Sequence, residues 1–176
     1  KLKKSLGYKE DDFKWLFLGR LSKEKNVESL IKEFGKLNLH KSNKLLIVGD
    51  GPDRPSFESL CKKINLADRV HFTGMIDPND VPMYYQISDL FVNFSDTETQ
   101  GLTFIEALAS GLPVLAKYDD NLEGVIIEHF NGITFNTNSE FKKAYYDLVE
   151  NKVKFNEITN NASKAIEKFS AQQYAI

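Results

Sequence analysis

A single cysteine, Cys61, gives the 176-residue chain no partner for an internal disulfide, so a packed core must hold the fold. A reducing compartment suits such a chain. Histidine is also scarce: His40, His71 and His129 are scattered, without the short spacing of a metal site. No apolar run approaches the roughly 18 residues of a membrane-spanning helix, and the start lacks the apolar segment of a signal peptide. Neither charge sign dominates, with 23 Lys and Arg against 25 Asp and Glu, so global electrostatics give no reason to expect nucleic acid as a partner. Repeats and low-complexity tracts are absent too. What is present, 41% hydrophobic and 27% charged residues, suits one globular domain with a substantial core. The opening KLKKSLGYKEDDFKWLFLGR lacks an initiating Met and runs straight from charge into a strand-like segment, while EKFSAQQYAI stops inside helical sequence. Both ends read as those of a domain excised from a longer protein.

Short apolar or β-branched runs alternate with segments of helical period, which predicts βαβ units. The strands are expected at Lys14–Gly19, Lys44–Gly49, Val70–Gly74, Asp89–Phe94, Pro113–Ala116 and Gly132–Phe135. Between the first two, Val27, Leu30, Ile31, Phe34 and Leu37 recur at helical spacing, and Phe57, Leu60, Cys61 and Ile64 repeat the pattern after the second. Further helices are expected at Asn79–Ile87, Thr103–Ser110, around Leu122–Glu128, at Ser139–Asn151 and from about Asn156 onward. The fold class is therefore α/β, a doubly wound, Rossmann-like parallel sheet of about six strands with helices on both faces. Ligands of such sheets bind at the carboxyl ends of the strands, so the loops there are the place to seek chemistry.

The loop Gly19–Asn26, GRLSKEKN, sets Arg20 and Lys25 near the end of the first strand. Together they offer a planar fork and a mobile point charge suited to a diphosphate, or are simply a solvated charged loop. After the second strand, VGDGPDR imitates a dinucleotide fingerprint but has Arg54 where the third glycine belongs, so Gly49 and Gly51 are read as allowing a tight turn and close backbone approach. After the third, Asp77 or Asn79 can cap the next helix, and the backbone at Met75 and Ile76 is placed to meet a flat base.

After the fourth comes SDTETQGLTFIEALASGLPVLA, which holds Glu98 and Glu106. On one helix, eight steps of about 100° would leave these carboxylates roughly 80° apart, so a shared face explains them poorly. Thr103 and Glu106 instead fit a capping box, which puts Glu98 in the loop before the helix and the amides of Gly101, Leu102 and Thr103 at its start, where a phosphate would bind. No Asp-x-Asp pair follows a strand, and Asp119 and Asp120 are adjacent, so no metal ligand is assigned.

Taken together, FLGRLSKEKNVESLI, LLIVGDGPDR, RVHFTGMI, MYYQISDLFVNFS, Glu98-x7-Glu106 and FNGITF resemble, over nearly the whole chain, the C-terminal, nucleotide-sugar-binding domain of a GT-B-fold retaining glycosyltransferase of family 4. The resemblance implies that residues 1–176 are the donor half of a two-domain enzyme whose N-terminal acceptor domain is missing. It implies donor contact for Gly19, diphosphate contacts for Arg20, Lys25, Gly101, Leu102 and Thr103, base contacts near Met75 and Ile76, hexose contacts for Glu98 and ribose contacts for Glu106. Glu98, Arg20 and Lys25 would be the catalytic set, with a nucleotide-diphosphate sugar, UDP-linked by family frequency, as substrate and no cofactor. Where the family often has a GG-x-P-E turn this chain has KYDDNLEG, and the DDNLEGVI variant resembles, more loosely, bacterial enzymes that glycosylate diacylglycerol or related glycolipids. A glycolipid or cell-surface polysaccharide is then the expected acceptor, and a cytoplasmic enzyme peripheral at the inner membrane face the expected setting. Two alternatives stay open: a nucleotide-sugar 2-epimerase and a non-catalytic nucleotide-binding module.

Overall fold

The computed structural model describes residues 1–97 and 101–173. In chain order the elements are α1 (Leu2–Ser5), β1 (Phe13–Leu18), α2 (Val27–Lys36), β2 (Asn43–Val48), α3 (Arg54–Lys63), β3 (Val70–Phe72), α4 (Val81–Ile87), β4 (Leu90–Asn93), α5 (Leu102–Ala109), β5 (Val114–Lys117), β6 (Gly132–Phe135), α6 (Asn138–Val149) and α7 (Lys152–Gln173). The sheet runs β3-β2-β1-β4-β5-β6, and all five pairings are parallel. The winding reverses between β1 and β4, so the loops leaving their carboxyl ends diverge and open a crevice there.

Strand periodicity divides the core. Trp15 and Phe17 point to one face and Leu16 to the other; Leu45 and Ile47 part from Leu46 and Val48 in the same way. On the first face the Trp15 ring meets Phe34 of α2 at 4.8 Å and Phe141 of α6 at 5.9 Å between centroids. On the second, Phe91 meets Phe104 of α5 at 5.4 Å and Tyr85 of α4 at 6.2 Å. Both helical patterns bury as expected, with Val27, Leu30, Ile31 and Phe34 inward on α2 and Phe57 and Cys61 inward on α3. Burial pushes the Cys61 thiol up to about 11. A thiol so protonated is a poor nucleophile, so at pH 8 an aromatic disulfide reagent should label Cys61 only after denaturant is added, a difference read directly by absorbance.

Two expectations are corrected. The sequence around Leu122–Glu128 forms no α-helix; a single 3₁₀ turn, Asp120–Leu122, is all that appears, capped by the Asp119 carboxylate accepting from the Asn121 amide at 2.8 Å. Leu122, Val125 and Ile126 have helical spacing, but Gly124 turns left-handed at φ 78° and the buried Asn131 takes over the backbone groups, donating to the Val125 carbonyl at 3.0 Å and accepting from the Ile127 amide at 2.8 Å. The last helix also starts earlier than expected, at Lys152. Asp77 caps not α4 itself but the 3₁₀ turn Pro78–Asp80 that leads into it, accepting from the Asn79 amide at 2.8 Å, and α4 has Asp80 as N-cap with no side-chain cap.

Candidate functional site

The carboxyl ends of β1 and β2, the loop after β3 and the first turn of α4 enclose a cleft of about 640 Å³, lined by Leu18, Gly19, Arg20, Val48, Gly49, Asp50, Gly51, Met75, Ile76 and Val81. Much of its wall is main chain. Gly49, at φ 130°, lies so close to the end of β1 that a Cβ there would sit 2.0 Å from the Gly19 carbonyl oxygen; one on Gly51 would sit 2.2 Å from that of Leu21. Backbone hydrogen bonds stitch the same segments, from Leu21 N–H to the Asp50 carbonyl at 3.0 Å and from Asp53 N–H to the Leu21 carbonyl at 3.2 Å. The glycines of VGDGPDR therefore serve close approach, as expected.

Arg54, standing where a fingerprint glycine would be, is outside the lining and ties Asp50 to the turn at Gly74. Its guanidinium pairs with Glu58 at 2.8 Å and Asp50 at 3.3 Å and lies over Gly74. Asp50 is further held by the Gly51 amide at 2.8 Å. The Thr73 hydroxyl donates to the Gly74 carbonyl at 2.8 Å and accepts from the Gly49 amide at 3.4 Å. The turn so fixed presents Met75, 85% exposed, and the half-buried Ile76 at the cleft mouth. Arg20 reaches the same mouth from the loop after β1 and is exposed, while Lys25 sits farther along in the 3₁₀ turn Lys23–Lys25.

The loop after β4 is pinned at its root. Asn93 Oδ1 accepts from the Ser95 amide at 2.7 Å, the Asp96 amide donates to the Glu24 carbonyl at 3.3 Å, and the Asp96 carboxylate pairs with Lys117 at the end of β5. Glu98 lies outside the described residues. Helix α5 then begins at Leu102, with Gly101 as its N-cap at φ 61° and no side chain capping it. The expected capping box is thus absent: the N-cap is Gly101, two residues before Thr103, so Thr103 is inside the first turn and Glu106 is too far along to reach back to the cap. Instead Glu106, whose side chain is exposed, accepts at Oε2 from the buried Tyr85 hydroxyl at 2.9 Å. Burial first, and the neighbouring Glu106 charge next, push the Tyr85 phenol far above its ordinary range, so it stays a donor. Helix geometry leaves the amides of Leu102 and Thr103 without intrahelical acceptors, which makes the start of α5 a place for negative charge.

Of the residues expected from sequence, Gly19, Arg20, Met75 and Ile76 come together around the cleft. Lys25, Gly101, Leu102, Thr103 and Glu106 stand outside its lining, on the adjoining loop and helix. Helix α4 bridges the two groups, since Val81 lines the cleft and Tyr85, one turn on, holds Glu106. Sequence reasoning missed Tyr85, Asp50, Asp96 and Lys117. The available signal for Tyr85 was faint, a hydroxyl-bearing ring at a buried helical position in MYYQI.

The family described as "Glycosyl transferases group 1" matches residues 1–166. Over 175 residues the chain is 34% identical to the alpha-monoglucosyldiacylglycerol synthase of Acholeplasma laidlawii, covering 99% of this chain and 44% of that protein. It superposes with a TM-score of 0.81 and 21% identity on the C-terminal domain of the group 1 family protein LpcC from Francisella tularensis, covering 94% of this chain and 89% of that one. Anabaena HepE in complex with UDP-glucose gives a TM-score of 0.84 at 23% identity, over 95% of this chain and 47% of that one. The chain spans less than half the length of the Acholeplasma relative. The fold is that of the C-terminal half of a GT-B enzyme, and by the match over residues 1–166 the chain belongs to the group 1 glycosyl transferases.

Proposed function

We propose that the chain is the donor-binding domain of a two-domain retaining glycosyltransferase that takes a hexose from a UDP-sugar. The observation that carries this reading is the cleft itself, an apolar slot between Leu18, Val48 and Ile76, wide enough for a base, with Arg20 at its mouth and the start of α5 beyond. The base lies against the backbone at Met75 and Ile76, and Glu106 accepts from the ribose hydroxyls. Arg20, Lys25 and the amides of Gly101, Leu102 and Thr103 receive the diphosphate. Glu98 holds the hexose by its hydroxyls. When the bond from the anomeric carbon to the diphosphate oxygen breaks, negative charge grows on the departing UDP, and these cations and amides stabilise it.

The acceptor's hydroxyl oxygen bonds to the anomeric carbon and its proton passes to the leaving diphosphate; the acceptor is held by an N-terminal domain outside this chain, so the isolated chain binds donor and transfers nothing. The name of the Acholeplasma relative supports glucose as the hexose and a diacylglycerol-type lipid as the acceptor, which would bring the enzyme to the inner face of a membrane. A thermal-shift series with UDP-, GDP- and ADP-glucose tests the donor assignment. At about 100 times its dissociation constant the right donor stabilises by about 2.7 kcal/mol, roughly 7 °C for a chain of this length. UDP-glucose should give that shift and the others little; a larger shift with GDP- or ADP-glucose would overturn the choice of base, and no shift with any of them the nucleotide site.

A further inference from the structure

We propose that Tyr85 is a positioning residue for ribose recognition, its hydroxyl holding the Glu106 carboxylate in the orientation that accepts from a 2′,3′-diol. The inference rests on the assignment of Glu106 to ribose made above. Glu106 projects from the surface of α5 on a long, flexible side chain, and its rotamer freedom would have to be lost on each binding event. Tyr85 removes much of that freedom in advance. It is 2% exposed, its ring is locked in the core that contains Phe91, Phe104 and Leu108, and its hydroxyl is therefore a fixed donor. One carboxylate oxygen, Oε2, is engaged at 2.9 Å. The remaining lone pairs of the carboxylate can take two hydroxyls from a vicinal diol.

Packing alone does not account for this hydroxyl. The surrounding cluster is apolar and the ring supplies the contacts, so phenylalanine would fill the same space without burying a polar atom. Nor does Glu106 need it for solvation, since an exposed carboxylate is satisfied by water. A buried donor reaching outward to an exposed acceptor is arranged for the acceptor's orientation. The same hydroxyl lies 3.2 Å from the Thr103 carbonyl, but one phenolic proton serves the shorter, charge-assisted contact first. That carbonyl also provides Tyr85 with a second acceptor if Glu106 is removed, so truncating Glu106 leaves no buried hydroxyl without a partner. Because Val81 lines the cleft from the preceding turn of α4, the helix that walls the nucleotide slot is also the one that orients the ribose ligand.

The test is calorimetric binding of UDP and of 2′,3′-dideoxyuridine diphosphate to the wild-type chain, Tyr85→Phe, Glu106→Ala and the double variant. Wild type should prefer UDP over the dideoxy analogue by at least about tenfold, the worth of one or two hydrogen bonds to a charged group. Tyr85→Phe should weaken UDP by roughly fivefold and leave the analogue unchanged, so that the preference shrinks. Glu106→Ala should abolish the preference, and adding Tyr85→Phe to it should change nothing more. Equal weakening of both ligands by Tyr85→Phe would show a merely structural role and overturn the proposal, as would an unchanged preference. A preference that survives Glu106→Ala, or is absent in wild type, would instead remove the ribose assignment of Glu106 and the proposal with it. The two failures come from different proteins and are read separately.

Discussion

An alanine at position 49 should lower the melting temperature by roughly 8–14 °C, equivalent to about 3–5 kcal/mol in a chain of this size. The Cβ would sit 2.0 Å from the Gly19 carbonyl oxygen and 3.0 Å from its carbon, and neither belongs to a flexible side-chain tip. Gly19 is itself tied back to the Val48 carbonyl at 3.0 Å, so relief requires moving the end of β1 away from β2. Strain at φ 130°, which L-residues rarely adopt, adds about 1–3 kcal/mol to the steric cost. The expected damage is functional as well, since displacing Gly19 carries Arg20 with it and spreads the slot. Thermal unfolding followed by circular dichroism measures the first effect, and UDP titration of the folded fraction measures the second. A loss below about 1 kcal/mol would show that the two strand ends are not held in register as described.

Removing the cations should cost most on the binding side. Each hydrogen bond between a charged donor and a phosphate contributes about 1.5–3 kcal/mol, so Arg20→Ala should weaken UDP by roughly 10- to 100-fold, and Arg20→Ala with Lys25→Ala by about a thousandfold. Arg20→Lys should fall between, because it keeps the charge and loses the planar fork. Arg20 is exposed and enters no ion pair among the described residues, so Arg20→Ala and Arg20→Lys should each leave the melting temperature within about 1 °C. Raising ionic strength should erode wild-type affinity and barely touch that of the double variant. Calorimetry at two salt concentrations checks both statements, and UDP affinity unchanged in Arg20→Ala would place the diphosphate elsewhere.

How far the sequence discloses this molecule depends on the range of the interaction. The alternation that splits Trp15 and Phe17 from Leu16 is written in adjacent residues, as is the spacing of Val27, Leu30, Ile31 and Phe34; the six strands and most helices follow from such local signals. The glycine-lined wall was legible for the same reason, because a glycine at a strand end has few other uses. The capping box was misread because Thr103-x-x-Glu106 is a genuine local pattern whose meaning depends on where the helix starts, and the left-handed Gly101 takes the N-cap two residues before Thr103. The actual partner of Glu106, Tyr85, lies 21 residues away and is reached only through packing of α4 on α5. The clasp between Asp96 and Lys117 is of equal range and equally silent. Leu122, Val125 and Ile126 show the reverse error, local helical spacing used by a loop to face one core.

If the cleft is the nucleotide site proposed above, its wall bears on how this domain can change its donor. Where side chains choose a ligand, single substitutions can retune the choice; here Gly19, Gly49 and Gly51 contribute backbone packed too closely to admit even a methyl group at positions 49 and 51. On the proposed function, variation is left to the side chains of Leu18 and Val48 and to the segment between Gly74 and Val81 that carries Met75 and Ile76. A descendant with a different base should therefore carry its changes in that segment and at positions 18 and 48, and laboratory libraries aimed at donor preference are better spent there than on the glycines at positions 49 and 51.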